Sequence, residues 1–323
     1  MNLLSPVNSV ESTVLQIEAG ADEIYVGMQT DYYANYSFSG RGQFGKNKSI
    51  VPSENEFKKI VEISHKENVK VSLAANTPLF SDSLAKDSKI EKEYLNQIEK
   101  GIKFGADNII VGDVGLLYQL GKMDLPVNLH ASSYFDTMNI EQALFLKELG
   151  ANRVVMTYQS TIDEIEALCN LKEVEIEVFG YMGCSFFNGA CNMIHDMGEK
   201  NTEKGKKIGI PCKGLYHVYS DEIGDKVVPY LDAELGCALC SIYRLNKMGV
   251  DVIKIAGRDR NSKMIKEITS LFRKAIDFSN TVDEEEYHKL VNENIYPWWE
   301  RSWCSSNKCK YRNNRITRSY IGK

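Results

Sequence analysis

Gly20-Ala21-Asp22-Glu23-Ile24-Tyr25-Val26-Gly27 sets a glycine, a small residue and an acid directly before an apolar run. The phrase returns as Gly105-Ala106-Asp107 before Ile109-Ile110-Val111-Gly112, and as Gly150-Ala151-Asn152 before Val154-Val155-Met156. A fourth copy is Gly249-Val250-Asp251 before Ile253-Lys254-Ile255. Each copy follows a helix-like segment, such as Ile140 to Leu149. Glycine stops a helix at little cost because it tolerates positive φ. The apolar run behind it reads as a strand buried on both faces, as in a parallel sheet. The phrase is a helix-to-strand joint used four times.

Further strands are expected at Leu3 to Val7, Val69 to Ala74, Val127 to Ala131 and Val174 to Phe179. Ser53-Glu54-Asn55-Glu56 and Thr161-Ile162-Asp163-Glu164 open helices in the manner of a capping box. Eight alternating strand and helix units predict an α/β fold, a (β/α)8 TIM-like barrel, with a doubly wound open sheet as runner-up. Function in such a barrel sits at the C-terminal strand ends. Polar residues gather there: Asn76, Asp113, His130, Ser132, Tyr158, Gln159, Tyr181 and Arg258.

The chain has 323 residues, 39 Lys+Arg, 44 Asp+Glu and a formal net charge of −5. This balance argues against a dedicated nucleic-acid binder, and 43% apolar residues exclude a disordered or fibrous chain. No apolar run approaches the ~20 residues needed to cross a bilayer. The opening Met1-Asn2-Leu3-Leu4-Ser5-Pro6 lacks the basic start of a signal peptide, so no membrane association and a cytoplasmic location are expected.

The eight cysteines all lie between Cys169 and Cys309. Reduced cytosolic thiols favour metal binding over disulfides. Cys169 falls in a helix and is expected to be buried. The regular alternation breaks at residues 180–248, a cysteine-rich insertion between strands seven and eight. There Cys184, Cys191, Cys212 and Cys237 are spaced more loosely than the tight pairs of a structural zinc site. They suit an iron–sulfur cluster held by four thiolates; zinc and unligated thiols are the alternatives. Cys237-x2-Cys240 with Cys304-x4-Cys309 forms a second possible metal set that competes for Cys237.

Gly40-Arg41-Gly42-Gln43-Phe44-Gly45-Lys46 imitates a phosphate loop. Asn47 stands where a magnesium-holding hydroxyl belongs, and no buried strand precedes the glycines, so a flexible active-site loop is expected. Neither a zinc-protease helix nor a hydrolase elbow is present. His65 and His288 sit in charged helical stretches and are expected to be solvated. His195 and His217 are weaker metal-ligand candidates.

The run Glu177-Val178-Phe179-Gly180-Tyr181-Met182-Gly183-Cys184, followed by Gly189-Ala190-Cys191, resembles the signature of the U32 peptidases, a collagenase-like family. Pro6, the Gly20 to Gly27 stretch, Asn76, Asp113, His130-Ala131-Ser132 with Asn139, and Lys254-Ile255-Ala256-Gly257-Arg258 extend the resemblance from residue 3 to about 278. The resemblance implies a 4Fe-4S cluster on Cys184, Cys191, Cys212 and Cys237. It also implies oxygen-independent hydroxylase chemistry, with prephenate as oxygen donor; in length the chain is like the ubiquinone-pathway members, which act on a small molecule. Three departures remove charged or titratable groups: Tyr158-Gln159 replace Arg-Glu, Tyr181 replaces a His, and Ala256 replaces a Glu.

The expected layout is a barrel domain over residues 1–280 and a basic, Trp- and Cys-containing tail over residues 281–323. From Arg301 onward the tail carries seven basic residues and no acid, and it reads as a solvated end anchored by tryptophans. His130, Arg258 and Tyr181 are the expected catalytic residues. Arg41, Asn76, Asp113, Ser132 and Tyr158 are expected to bind the substrate, a small carboxylate held by Arg258 and Arg41. A homologous protein is a possible partner, and RNA a weaker one. Peptidase activity, RNA modification and a partner-subunit role are the alternative functions.

Overall fold

The computed structural model describes residues 1–29, 39, 51–76, 89–157, 159–181, 215–222, 224–228, 236–258, 260–295 and 310–311. Along the chain run β1 (Asn2–Pro6), α1 (Val10–Glu18), β2 (Glu23–Val26), α2 (Glu54–Lys66), β3 (Lys70–Ala75), α3 (Lys89–Lys103) and β4 (Asn108–Val111). Then come α4 (Val114–Gly121), β5 (Asn128–Ala131), α5 (Ile140–Glu148), β6 (Arg153–Val155), α6 (Ile162–Leu171) and β7 (Glu175–Tyr181). The insertion contributes the hairpin β8 (Tyr216–Ser220) and β9 (Gly224–Val228) and ends in α7 (Ile242–Lys247). The chain continues through β10 (Val252–Ile255), α8 (Ser262–Thr281) and α9 (Glu284–Asn294).

Eight parallel strands close in the order β1-β10-β7-β6-β5-β4-β3-β2, which excludes the open sheet. The four joint glycines adopt φ of +86°, +99°, +107° and +93°, as helix termination requires. The third residue of each joint has a function that the pattern alone does not disclose. The side chains of Asp22, Asp107, Asn152 and Asp251 accept the N–H of Leu3, Val71, Leu129 and Ile176, at 2.7–2.9 Å. Each phrase thus ends one helix and pins the start of the adjacent strand. Both expected capping boxes are present, at Ser53 and Thr161.

Outward-facing strand residues such as Ile24, Leu73, Ile109 and Val154 pack against helix residues such as Phe57, Tyr94, Leu146 and Phe272. Inward-facing Leu4, Tyr25, Ala74, Ile110 and Val252 form a separate, smaller cluster. The rest of the lumen is polar. Arg153 holds Glu23 through both terminal guanidinium nitrogens at 2.8 and 2.9 Å, reaches Glu177 at 3.3 Å and uses Nε for Glu175 at 2.8 Å. Lys254 donates to the other oxygen of Glu177 at 2.7 Å. Burial opposes the charge on Arg153, but Glu23, Glu177 and Glu175 overcome it and raise its pKa.

The stretch expected to be tail begins with α9. Tyr287, Val291 and Ile295 belong to the main core, so this segment is part of the barrel's packing. His288 on the same helix is buried against the Tyr287 ring, contrary to expectation, because its face of α9 turns inward. His65 is partly exposed and bonds Asp107 at 3.0 Å. Among the described residues, no helix is long and apolar enough to cross a membrane.

Removing Arg153 would leave buried Glu23 without its cation and Glu177 with Lys254 alone. Breaking one side of such a network typically costs about 3–5 kcal/mol. Arg153→Ala is expected to lower the unfolding free energy by this amount in urea titrations, whereas Glu175→Ala, at the half-exposed partner, should cost less than 1 kcal/mol.

Candidate active site

The C-terminal end of β7 organises the mouth of the barrel. Tyr181 forms an antiparallel bridge with Cys237, and the Ala238 N–H donates to the Gly180 carbonyl at 2.7 Å. The Ala256 N–H, just beyond β10, donates to the Tyr181 carbonyl at 3.1 Å. Cys237 is therefore strapped onto the strand that carries Glu177 and Phe179. Its Sγ accepts the Leu239 N–H at 3.4 Å, a contact that supports negative charge on sulfur. The Leu239 carbonyl in turn accepts the Tyr287 hydroxyl at 2.8 Å. Burial pushes the Tyr287 phenol well above its ordinary pKa, and Cys240 and Cys237 add to the rise.

Arg258 follows β10 directly and is buried. Gly257 before it has φ of +121°, which supplies the sharp turn expected there. The Arg258 guanidinium bonds Ser39 and lies 5.5 Å from the Tyr25 ring centroid, while its carbonyl accepts Asn8 Nδ2 at 2.7 Å. Lys254 lies 4.5 Å from the same Tyr25 ring and 5.9 Å from that of Phe179. The side chain pointed out by sequence, Arg258, thus sits beside one that was quoted only as part of a motif.

Sequence reasoning missed a third cation. Lys310 and Tyr311, inside the segment expected to be a solvated end, are buried at this mouth. The Lys310 N–H donates to the Cys237 carbonyl at 2.9 Å, and the Tyr311 hydroxyl donates to the Phe179 carbonyl at 3.1 Å. Lys310 Nζ lies 5.5 Å from the Phe179 ring. Burial pulls its pKa down to about 7, and the Cys237 thiol acts in the opposite direction. A basic, aromatic tail composition gave the only hint.

His130 lies on β5 facing the lumen, 1% exposed. Among the described residues, nothing hydrogen-bonds its Nδ1. Burial, then Arg153, Lys254 and Lys70, hold its pKa well below the usual imidazole range, so the ring is neutral at pH 7. Asn76 donates to Ser132 Oγ at 3.1 Å, which joins the ends of β3 and β5. Asp113 caps α4, with Oδ1 accepting the Leu116 N–H at 3.0 Å. Tyr181 is buried, which raises its pKa, and Cys237 raises it further. Arg41, Tyr158, Cys184, Cys191, Cys212, Cys304, Cys309 and His195 lie outside the described residues.

Two features lie away from the mouth. His217 stands on the exposed β8–β9 hairpin, 3.5 Å from Asp225. Cys169, buried on α6 as expected, lines a cleft at the opposite end of the barrel with Asn152 and Asp251. Burial pushes its thiol up to about 12, which leaves it inert near neutral pH. Among the described residues, no three His, Cys, Asp or Glu side chains are grouped to hold a metal ion.

The model of peptidase family U32 matches residues 8–316. The chain is 26% identical over 283 residues to the 23S rRNA 5-hydroxycytidine synthase of Escherichia coli, covering 86% of this chain and 39% of that one. It is 25% identical over 285 residues to tRNA hydroxylation protein P1 of Bacillus subtilis, covering 85% and 63%. The chain thus spans less than two thirds of either relative. A collagenase of Porphyromonas gingivalis is 25% identical, with 88% and 67% covered. A solved U32 peptidase structure superposes with a TM-score of 0.52 at 14% identity, covering 80% of this chain and 93% of that one; this likeness concerns the fold.

A histidine whose pKa is depressed on folding stabilises the native state above its unfolded value of about 6.5. That stability is lost as pH falls, because the unfolded chain then binds a proton the folded one refuses. Unfolding free energy should therefore fall by up to about 1.4 kcal/mol per pH unit below pH 6.5 from this residue. His130→Gln should flatten the slope between pH 6.5 and 5; an unchanged slope would show that His130 titrates normally.

Proposed function

Because the chain belongs to peptidase family U32, we propose that it is an iron–sulfur enzyme of hydroxylase type whose barrel mouth receives a small organic carboxylate. The observation that carries this reading is the placement of Cys237 on the end of β7, in one mouth with Arg258 and His130's strand. The described cysteine fits the group: its sulfur accepts an N–H, and its carbonyl accepts the main-chain N–H of the buried Lys310. Cys184, Cys191 and Cys212 would complete a 4Fe-4S set. When bound, the cluster supplies one-electron transfer, which the chain's own side chains do not offer.

The remaining roles fall to described residues. Arg258 holds a carboxylate, since its fork matches two oxygens and a buried guanidinium gains most from an anion. Tyr25 and Phe179 wall the site and keep water from it. His130, neutral and with Nδ1 unpartnered, exchanges a proton with a ligand that reaches this atom. Tyr181 borders the thiolate side. Prephenate, implied by the resemblance, is the first carboxylate to test.

RNA modification is the second reading, favoured by the names of the rRNA and tRNA relatives and by the basic tail. A peptidase would need a nucleophile next to a base, and among the described residues no hydroxyl or thiol meets His130 Nδ1.

Protein purified without oxygen should be brown and carry about four irons and four sulfides. Cys184→Ala or Cys191→Ala should bleach it; colourless protein with stoichiometric zinc defeats the cluster. Cys240→Ser, Cys304→Ser and Cys309→Ser should keep the iron. Its loss from the Cys240 change, with Cys237→Ser harmless, would exchange the ligand for Cys240 and point to a second metal set with Cys304 and Cys309. Arg258→Ala should retain iron but weaken carboxylate binding by ~2–5 kcal/mol in calorimetry. Tight binding of a transcribed tRNA with no carboxylate binding would favour the second reading.

A further inference from the structure

Two tail residues are described, and both attach to the cluster side of the mouth. Their attachment does not require a charge. The Lys310 main-chain N–H meets the Cys237 carbonyl, and the Tyr311 hydroxyl meets the Phe179 carbonyl. Tyr311 holds φ of +58°, a conformation that bulky residues adopt only where the surroundings impose it. The Lys310 side chain lies flat along Gly236, the residue before Cys237. A Cβ on Gly236 would come within 2.9 Å of Lys310 Cγ and Cε, and 3.2 Å of Nζ. The glycine is what admits the lysine. An apolar side chain would fill the same groove without the cost of burying an ammonium.

We propose that Lys310 is a positioning residue for the electron-transfer group: its ammonium, brought from the tail to the backbone beside Cys237, raises the reduction potential of the cluster that Cys237 helps to hold. This rests on the iron–sulfur reading given above. Adding an electron to a thiolate-bound cluster adds negative charge, and a protonated lysine nearby favours the reduced form. The effect is large where water is excluded, and Lys310 is 8% exposed. Lys254, Arg258 and Arg260 also face this end of the barrel from β10 and the turn after it. They stay in place when Lys310 is changed, so the tail's contribution is separable.

The test uses the full chain, purified without oxygen, in three variants: Lys310→Met, Lys310→Arg and Gly236→Ala. Iron content is measured first, then the midpoint potential by absorbance-monitored redox titration. Lys310→Met should keep its iron and shift the reduction equilibrium about tenfold toward the oxidised form, a fall of 59 mV for a one-electron couple. Lys310→Arg should recover most of the shift. Gly236→Ala, which pushes the ammonium away without removing it, should move the potential in the same direction by less. An unchanged potential in iron-loaded Lys310→Met overturns the proposal. So does loss of iron from Lys310→Met, which would mark the residue as structural, unless Gly236→Ala keeps its iron and shows the fall. Wild-type protein that takes up no iron overturns the cluster reading itself, and this inference with it.

Discussion

The Arg153 guanidinium crosses the lumen of the barrel. β6, which carries it, lies four strands from β2 in either direction around the ring, and its partner Glu23 is the first residue of β2. The paired hydrogen bonds at 2.8 and 2.9 Å therefore span the barrel. A barrel of this type ordinarily fills its centre with layers of branched apolar side chains. Here the apolar lumen cluster is five residues, and charge fills much of the remainder. Each charged member depends on the next: Glu23 on Arg153, Arg153 on Glu177, Glu177 on Lys254. Apolar replacement of the whole set could leave a barrel of similar stability, since buried ion pairs seldom stabilise in net terms. Retaining charge in the lumen makes sense chiefly for what it does above.

That effect is electrostatic. Arg153 and Lys254 help to keep His130 neutral. Lys254 also places an ammonium near the Tyr25 and Phe179 rings, while Arg258 approaches Tyr25 from the β10 end and Lys310 approaches Phe179 from the tail. A cation over an aromatic face gains more when desolvated than when exposed. The rings thus make it cheaper to keep positive charge in a dry site. Ala256, where the family resemblance leads one to expect a glutamate, is buried and adds no counter-charge at this point.

The fold was legible because its joints are written locally. A glycine with positive φ, a side-chain acceptor for the adjacent strand and an apolar run occupy consecutive positions, and all act within a few residues. The lumen was not legible for a physical reason. Glu175-Ile176-Glu177-Val178-Phe179 alternates charged and apolar residues, the pattern of a strand with one face in water. In a closed barrel the inward face can carry the same pattern, and periodicity alone cannot distinguish bulk water from a lumen of compensating charges. Arg153, between Asn152 and the apolar run Val154-Val155-Met156, gave no periodic signal of its inward face. Of the site, Arg258 and His130 could be placed from strand ends, whereas Lys310 depends on a contact between segments far apart in sequence.

The cysteine segment is held from the C-terminal side of the chain at two points. Tyr287 on α9 bonds the Leu239 carbonyl, and Lys310 bonds the Cys237 carbonyl. With the Leu239 N–H donating to the Cys237 sulfur, these bonds fix the main chain from Cys237 to Leu239. A side chain on a fixed main chain loses less conformational freedom in any binding event than one on a mobile segment. Segments that composition alone would assign to a peripheral tail therefore do the work of a supporting shell, and the working unit extends beyond the eight strands to the residues that close over them.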